Sequence, residues 1–181
     1  MNGTDKRKLA ELILYFSDRC QNDPFFGSTK LNKLLFMADF WCYGHLGKSI
    51  TGINYIHQKE GPTPEPKTFL SARKQLISEG RLAVREEKTY VGIRKRPIAI
   101  DKPNLTLFTE AELQICQDAI EALKHLNNME TSDWSHDFPG WLYTREGEII
   151  PYETVYLYRK EPLTLEDTEW AKSLARKMKL I

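Results

Sequence analysis

Ser135-His136-Asp137 holds the residue types of a nucleophile, a base and an orienting carboxylate. Adjacent residues cannot converge in that way, because such a triad needs side chains delivered from separate segments. A helix-surface or capping role is the reading left to His136. The four histidines, His45, His57, His125 and His136, show neither HxH nor HExxH spacing. No GxxxxGKS/T phosphate loop and no GxGxxG fingerprint occurs. Cys20, Cys42 and Cys116 lie far apart, in stretches that read as helical and apolar, so buried inert thiols are expected. An odd cysteine count without CxxC spacing fits neither a disulfide framework nor a zinc cluster. The sequence therefore predicts no catalytic residue, no metal and no cofactor. Asp39 is the odd acid in an apolar run, and a buried carboxylate is costly unless it is paired or hydrogen-bonded. Lys59 and His57 are its expected partners, and a catalytic acid is the competing role.

The chain has 181 residues, 41% hydrophobic and 28% charged, as in an ordinary globular protein. One domain is expected over 1–181. No apolar run reaches the roughly 18–20 residues that span a bilayer. Met1 to Lys8 is polar, without the apolar stretch of a secretory signal, so a cytoplasmic protein with no membrane association is expected. The net charge of +1 is unevenly spread: residues 67–100 carry +6 and residues 101–153 carry −8. A basic lobe and an acidic lobe steer association without setting the fold.

The elements that must position these residues follow from periodicity. Leu9, Leu12, Ile13 and Phe16 have the i, i+3, i+4, i+7 spacing of an amphipathic helix. A second helix, from Thr29 to about Tyr43, is apolar all round and so expected to be central; Ser28 is its expected cap, and Gly44 and Gly47 its stop. Residues 50–58 contain a short β-type stretch, and the Gly61–Pro66 turn leads to a third helix ending at Gly80. That helix is expected to bury Phe69, Leu70, Ala72, Leu76 and Ile77. Residues 81–100 read as a hairpin turning at Glu86-Glu87-Lys88. Thr109 and Glu112 have capping-box spacing for a helix to about His125. A shorter helix is expected over Ser132 to His136, an irregular or extended link over 149–152, and a last helix from Leu165 to Met178 after Thr164. The fold class is α+β and mainly α-helical: a compact helical domain with a small β-hairpin or sheet.

The order helix, helix, strand, helix, hairpin is winged-helix-like in the N-terminal part. Arg94, Lys95 and Arg96, with Lys67, Arg73, Lys74, Arg81 and Arg85, form a basic surface that could meet DNA phosphates. The third helix offers few side chains that read base edges, so a solvated or protein-facing hairpin is preferred. Trp134, His136 and Trp141 sit in the acidic stretch. They are either anchors of an interface or the packing between the two lobes.

Three segments resemble the Panacea domain, the family of SocA-like antitoxins and phage-associated GepA-like proteins. Lys30-Leu31-Asn32-Lys33-Leu34-Leu35-Phe36-Met37-Ala38-Asp39-Phe40 is similar to its KLxKLLYxAD helix. Tyr43-Gly44 through Thr51-Gly52, followed by Lys59-Glu60-Gly61-Pro62-Thr63-Pro64, is similar to its YG-x-PI-T-G…K-YGPxP region, with Ser49 and Glu60 departing from the usual Pro and Tyr. Trp134-Ser135-His136, Trp141, Gly147 and Ile150-Pro151-Tyr152-Glu153 are similar to its LSH…W…G…IPYE tail. The core motifs span 30–153. On this resemblance Lys33, Asp39, Trp41, Gly61, Pro62 and Pro64 are structural-motif residues. The resemblance implies an antitoxin that binds a cognate toxin encoded by an adjacent gene, or that delivers the toxin to a ClpXP protease. Trp134, His136, Trp141, Arg94, Lys95 and Arg96 are the candidate toxin contacts. A DNA-binding autoregulator is the alternative, and the sequence leaves a homodimer open.

Overall fold

The structure, a computed structural model, describes residues 4–90 and 92–157. The expected last helix lies outside the described residues.

Helix α1 spans Lys6–Arg19, and its Asp5 cap accepts hydrogen bonds from the amides of Arg7 and Lys8. Its predicted stripe, Leu9, Leu12, Ile13 and Phe16, is fully buried. Helix α2 runs Ser28–Leu46. Gly27 is its N-cap residue, not the expected Ser28, whose Oγ instead donates to the Lys95 carbonyl at 3.1 Å. Gly44 lies within the helix, which ends only at Gly47. The central position expected for α2 holds: α1, the later α4 (Glu110–Leu123) and α5 (Asn128–His136), and the hairpin all pack against it. Its buried Leu31, Leu34, Leu35, Phe36 and Phe40 each contribute about 1.5–3 kcal/mol of burial.

Strand β1 (Tyr55–Ile56) lies between β2 (Thr63–Pro64) and β5 (Ile149–Ile150), antiparallel to both. The extended link expected near 149–152 is thus the third strand of a small sheet. Helix α3 (Pro66–Ser78) is capped by Glu65, whose carboxylate accepts from the amides of Lys67 and Thr68. It buries Phe69, Ala72 and Leu76, whereas Leu70 and Ile77 face outward, against expectation. One helical face holds i, i+3 and i+7, and Leu70 and Ile77 stand a hundred degrees off it.

Strands β3 (Leu82–Thr89) and β4 (Gly92–Ala99) form a separate two-stranded ribbon. The chain reverses after Thr89, not at Glu86-Glu87-Lys88, which remain in the strand opposite Lys95, Arg94 and Ile93. Opposite charges facing each other across an antiparallel pair stabilise it. Because β1 pairs with β2 and β5 and not with this ribbon, the winged-helix likeness stops at the order of elements. Thr109 and Glu112 form the predicted capping box of α4. A second box, Asn127 with Glu130, starts α5 four residues before the expected Ser132. Helix α6 is one turn, Pro139–Leu142, and a 3-10 segment covers Tyr152–Leu157.

Candidate partner-binding site

Asp39 is fully buried on α2. Its Oδ1 accepts from the Thr51 amide at 2.7 Å, and its Oδ2 accepts from the Thr51 hydroxyl at 2.6 Å and the Tyr55 hydroxyl at 2.7 Å. These donors, not the expected Lys59 or His57, tie α2 to the strand that follows it. Burial pushes the Asp39 carboxyl up to about 6, with the Thr51 hydrogen bonds opposing the rise. The Tyr55 hydroxyl is pushed well above its ordinary value by burial and by the neighbouring carboxylate.

Lys33, two turns earlier on α2, is only 1% exposed. Its Nζ donates to the Pro62 carbonyl at 2.9 Å and has no carboxylate in ion-pair range among the described residues. Burial lowers its amine to about 7. Gly61, Pro62 and Pro64 are buried beside it. Gly61 has φ +92°, and a Cβ there would collide with Ser135 Oγ and lie 2.8 Å from Lys33 Nζ. The glycine lets the turn enter the space between α2 and α5.

Trp141 closes the same turn from the other side. Its indole lies between two imidazoles, His57 at 4.5 Å and His136 at 4.2 Å, with interplanar angles of 20° and 23°. Its Nε1 donates to the Gln58 carbonyl at 3.0 Å. His57 Nδ1 meets the Thr144 hydroxyl at 3.1 Å, and the His57 amide donates to Glu148. Among the candidate contacts, then, His136 and Trp141 are brought together and packed inward.

Trp134 goes elsewhere. With Trp41 it walls an apolar groove of about 470 Å³, over a floor of Phe36, Met37 and Phe40 and beside Tyr156. The floor belongs to an aromatic cluster: Phe40 lies 5.2 Å from Phe138, 5.6 Å from Tyr55 and 4.6 Å from Tyr152. On the hairpin, Arg94 and Arg96 are mostly buried. Arg96 pairs with Glu87 at 3.0 Å and donates to the Asp23 carbonyl, and Arg94 donates to the Pro24 carbonyl. Only Lys95 of the three is exposed. The basic surface read from the sequence is therefore smaller than expected, because two of its arginines hold the ribbon to the α1–α2 loop.

A family model described as antitoxin SocA-like, Panacea domain matches residues 31–142, more than half of the chain. The chain belongs to that family. No curated protein and no solved structure matches it. The Panacea domain of this chain uses its motif residues inside the fold: Lys33, Asp39, Gly61, Pro62 and Pro64 are buried, and the half-buried Trp41 alone reaches the groove. The three cysteines are buried free thiols, with Cys20 and Cys42 pushed up to about 12 chiefly by burial. Among the described residues no group of three or more His, Cys, Asp or Glu side chains could hold a metal ion. No described helix is long and apolar enough to cross a membrane.

The groove went unread in the sequence. Its signal was the surplus of large apolar residues on α2, more than one core face requires.

Proposed function

We propose that this Panacea-domain protein is a non-enzymatic cytoplasmic antitoxin that neutralises a cognate toxin, encoded by an adjacent gene, through direct binding. The observation that carries the reading is the division of labour around α2. The family's motif side chains hold the turn and strands in place, and the same helix presents an apolar groove whose other lining segments carry the exposed Asp133, Asp137 and Glu153. Concave sites lined mainly by apolar and aromatic side chains are characteristic of binding sites. Tryptophan side chains at the walls are the residue type that dominates binding energy in such sites.

Co-expression with the neighbouring gene tests this. The expected result is rescued growth and a stable complex on co-purification; toxicity unchanged by co-expression contradicts it. Delivery to a ClpXP protease is the competing mode, and toxin half-life with and without the protease separates the two. The DNA-binding alternative has lost ground, since Arg94 and Arg96 are committed within the fold. It predicts a salt-sensitive gel shift with upstream DNA.

A further inference from the structure

The groove that runs along α2 has walls made by helices. The backbone groups of α2 and α5 are spent on their own hydrogen-bond ladders, so an extended peptide would find no sheet edge to join. A helix satisfies its own backbone and needs only side-chain pockets. From Phe36 to His45, α2 advances roughly 14 Å at 1.5 Å per residue, the length of two and a half turns of a docked helix. The floor supplies aromatic faces and the thioether of Met37, a side chain that adapts to varied apolar shapes.

Among the described residues, the two segments that supply Trp134, Phe138, Val155 and Tyr156 to the lining carry exposed acidic side chains. Glu130 and Asp133 on α5, Asp137 just after it, and Glu153 are all exposed. Glu153 accepts from the Tyr43 hydroxyl at 3.0 Å, and the Tyr43 ring lies 5.9 Å from that of Tyr156 at the groove's lip. Among the described residues, His45 is the one basic side chain in the lining. We infer that the groove receives an amphipathic helix of the toxin, carrying Lys or Arg beside an apolar i, i+3/i+4, i+7 stripe. The apolar stripe fills the pocket between Trp41 and Trp134, and the basic flanks meet Asp133, Asp137 and Glu153. This inference rests on the antitoxin reading above.

The test uses the full chain co-expressed with the neighbouring gene's product. A photoreactive benzoylphenylalanine replaces Trp41 in one variant, Trp134 in a second and Tyr90, at the distant hairpin tip, in a third. The expected result is cross-linking from the two groove positions to one toxin helix with basic flanks, and none from the hairpin. In parallel, D133K/D137K at exposed positions should weaken the complex about 10–100-fold at low salt, and less at high salt.

Cross-links to an acidic or extended toxin segment overturn the inference. So do cross-links confined to residues 158–181, or to a second copy through the outward Leu70 and Ile77 of α3. Charge reversal without effect overturns it as well. A complex that forms while both groove probes stay silent removes this inference and keeps the antitoxin reading. A neighbouring product that neither binds nor is neutralised removes both.

Discussion

Two regions are fastened to the same part of the fold by cationic side chains, and the fastenings are built oppositely. At the 57–64 turn, Lys33 is sealed from water and reaches one carbonyl, that of Pro62. At the hairpin, Arg94 and Arg96 grip the carbonyls of Pro24 and Asp23 from the edge of the fold, with Glu87 as counter-charge. The inner side of the turn, at Gly61 and Pro62, is enclosed by α2, α5 and the Trp141 stack, with Lys59 and Glu60 exposed on the outer side. The hairpin is held as far out as Arg94 and stands clear only at its tip, where Tyr90 and Ile93 are exposed. Enclosure makes the turn part of the fold's stability, while the hairpin tip can change without cost to the core.

The contrast is sharpest under substitution. Asp39→Ala strands the Thr51 amide, the Thr51 hydroxyl and the Tyr55 hydroxyl in the core. It should cost about 4 kcal/mol at pH 5–7, measured by urea denaturation, at 1–3 kcal/mol for each unsatisfied group with partial relaxation. Gly61→Ala forces a Cβ against Ser135 and Lys33 at positive φ and should cost about 3 kcal/mol. Trp141→Ala removes the indole between His57 and His136 and should cost about 2–3 kcal/mol in the same measurement. Tyr90→Ala and Lys95→Ala, by contrast, should stay within about 0.5 kcal/mol of the parent. A hairpin-tip variant as damaging as Gly61→Ala would erase the distinction between the regions.

Acidity probes the same contrast. An amine whose folded value lies near 7, against about 10.5 unfolded, contributes stability that is full above the unfolded value and is lost as pH falls through 7. The melting temperature should therefore carry a Lys33 component that rises between pH 7 and 10. Lys33→Met should abolish that component; a profile identical to the parent's contradicts it. For Asp39 the sign is reversed. Its carboxyl is raised to about 6 in the fold, so the protonated form is favoured there, and its contribution falls as pH rises from about 4 to 6.

Much of this was legible in the sequence, and the gaps have physical causes. The α1 stripe, the central α2 and the Thr109 box are local patterns, and each is present in the fold as the sequence predicts. The Asn127–Glu130 pair has the same capping-box spacing, which places the start of α5 ahead of the expected Ser132. The hairpin turn was misplaced because a run of charges looks like a turn until its cross-strand partners are known: Glu86 faces Lys95 and Glu87 faces Arg94. Strand β5 is two residues long and exists only through pairing with Tyr55 and Ile56. Asp39 was rightly expected to be hydrogen-bonded, but its partners were sought among charged groups when hydroxyls and an amide supplied them. The buried Lys33 and the groove between Trp41 and Trp134 depend on how α5 lies along α2, which no local pattern encodes.

The central claim is that the protein acts by occupying its partner. Titrating the purified toxin's activity with the purified chain tests it most directly. The account predicts a linear fall to an end point at a fixed molar ratio, with the curve shifted to higher concentration by Trp41→Ala. Inactivation of many toxin molecules by each molecule of the chain would contradict it.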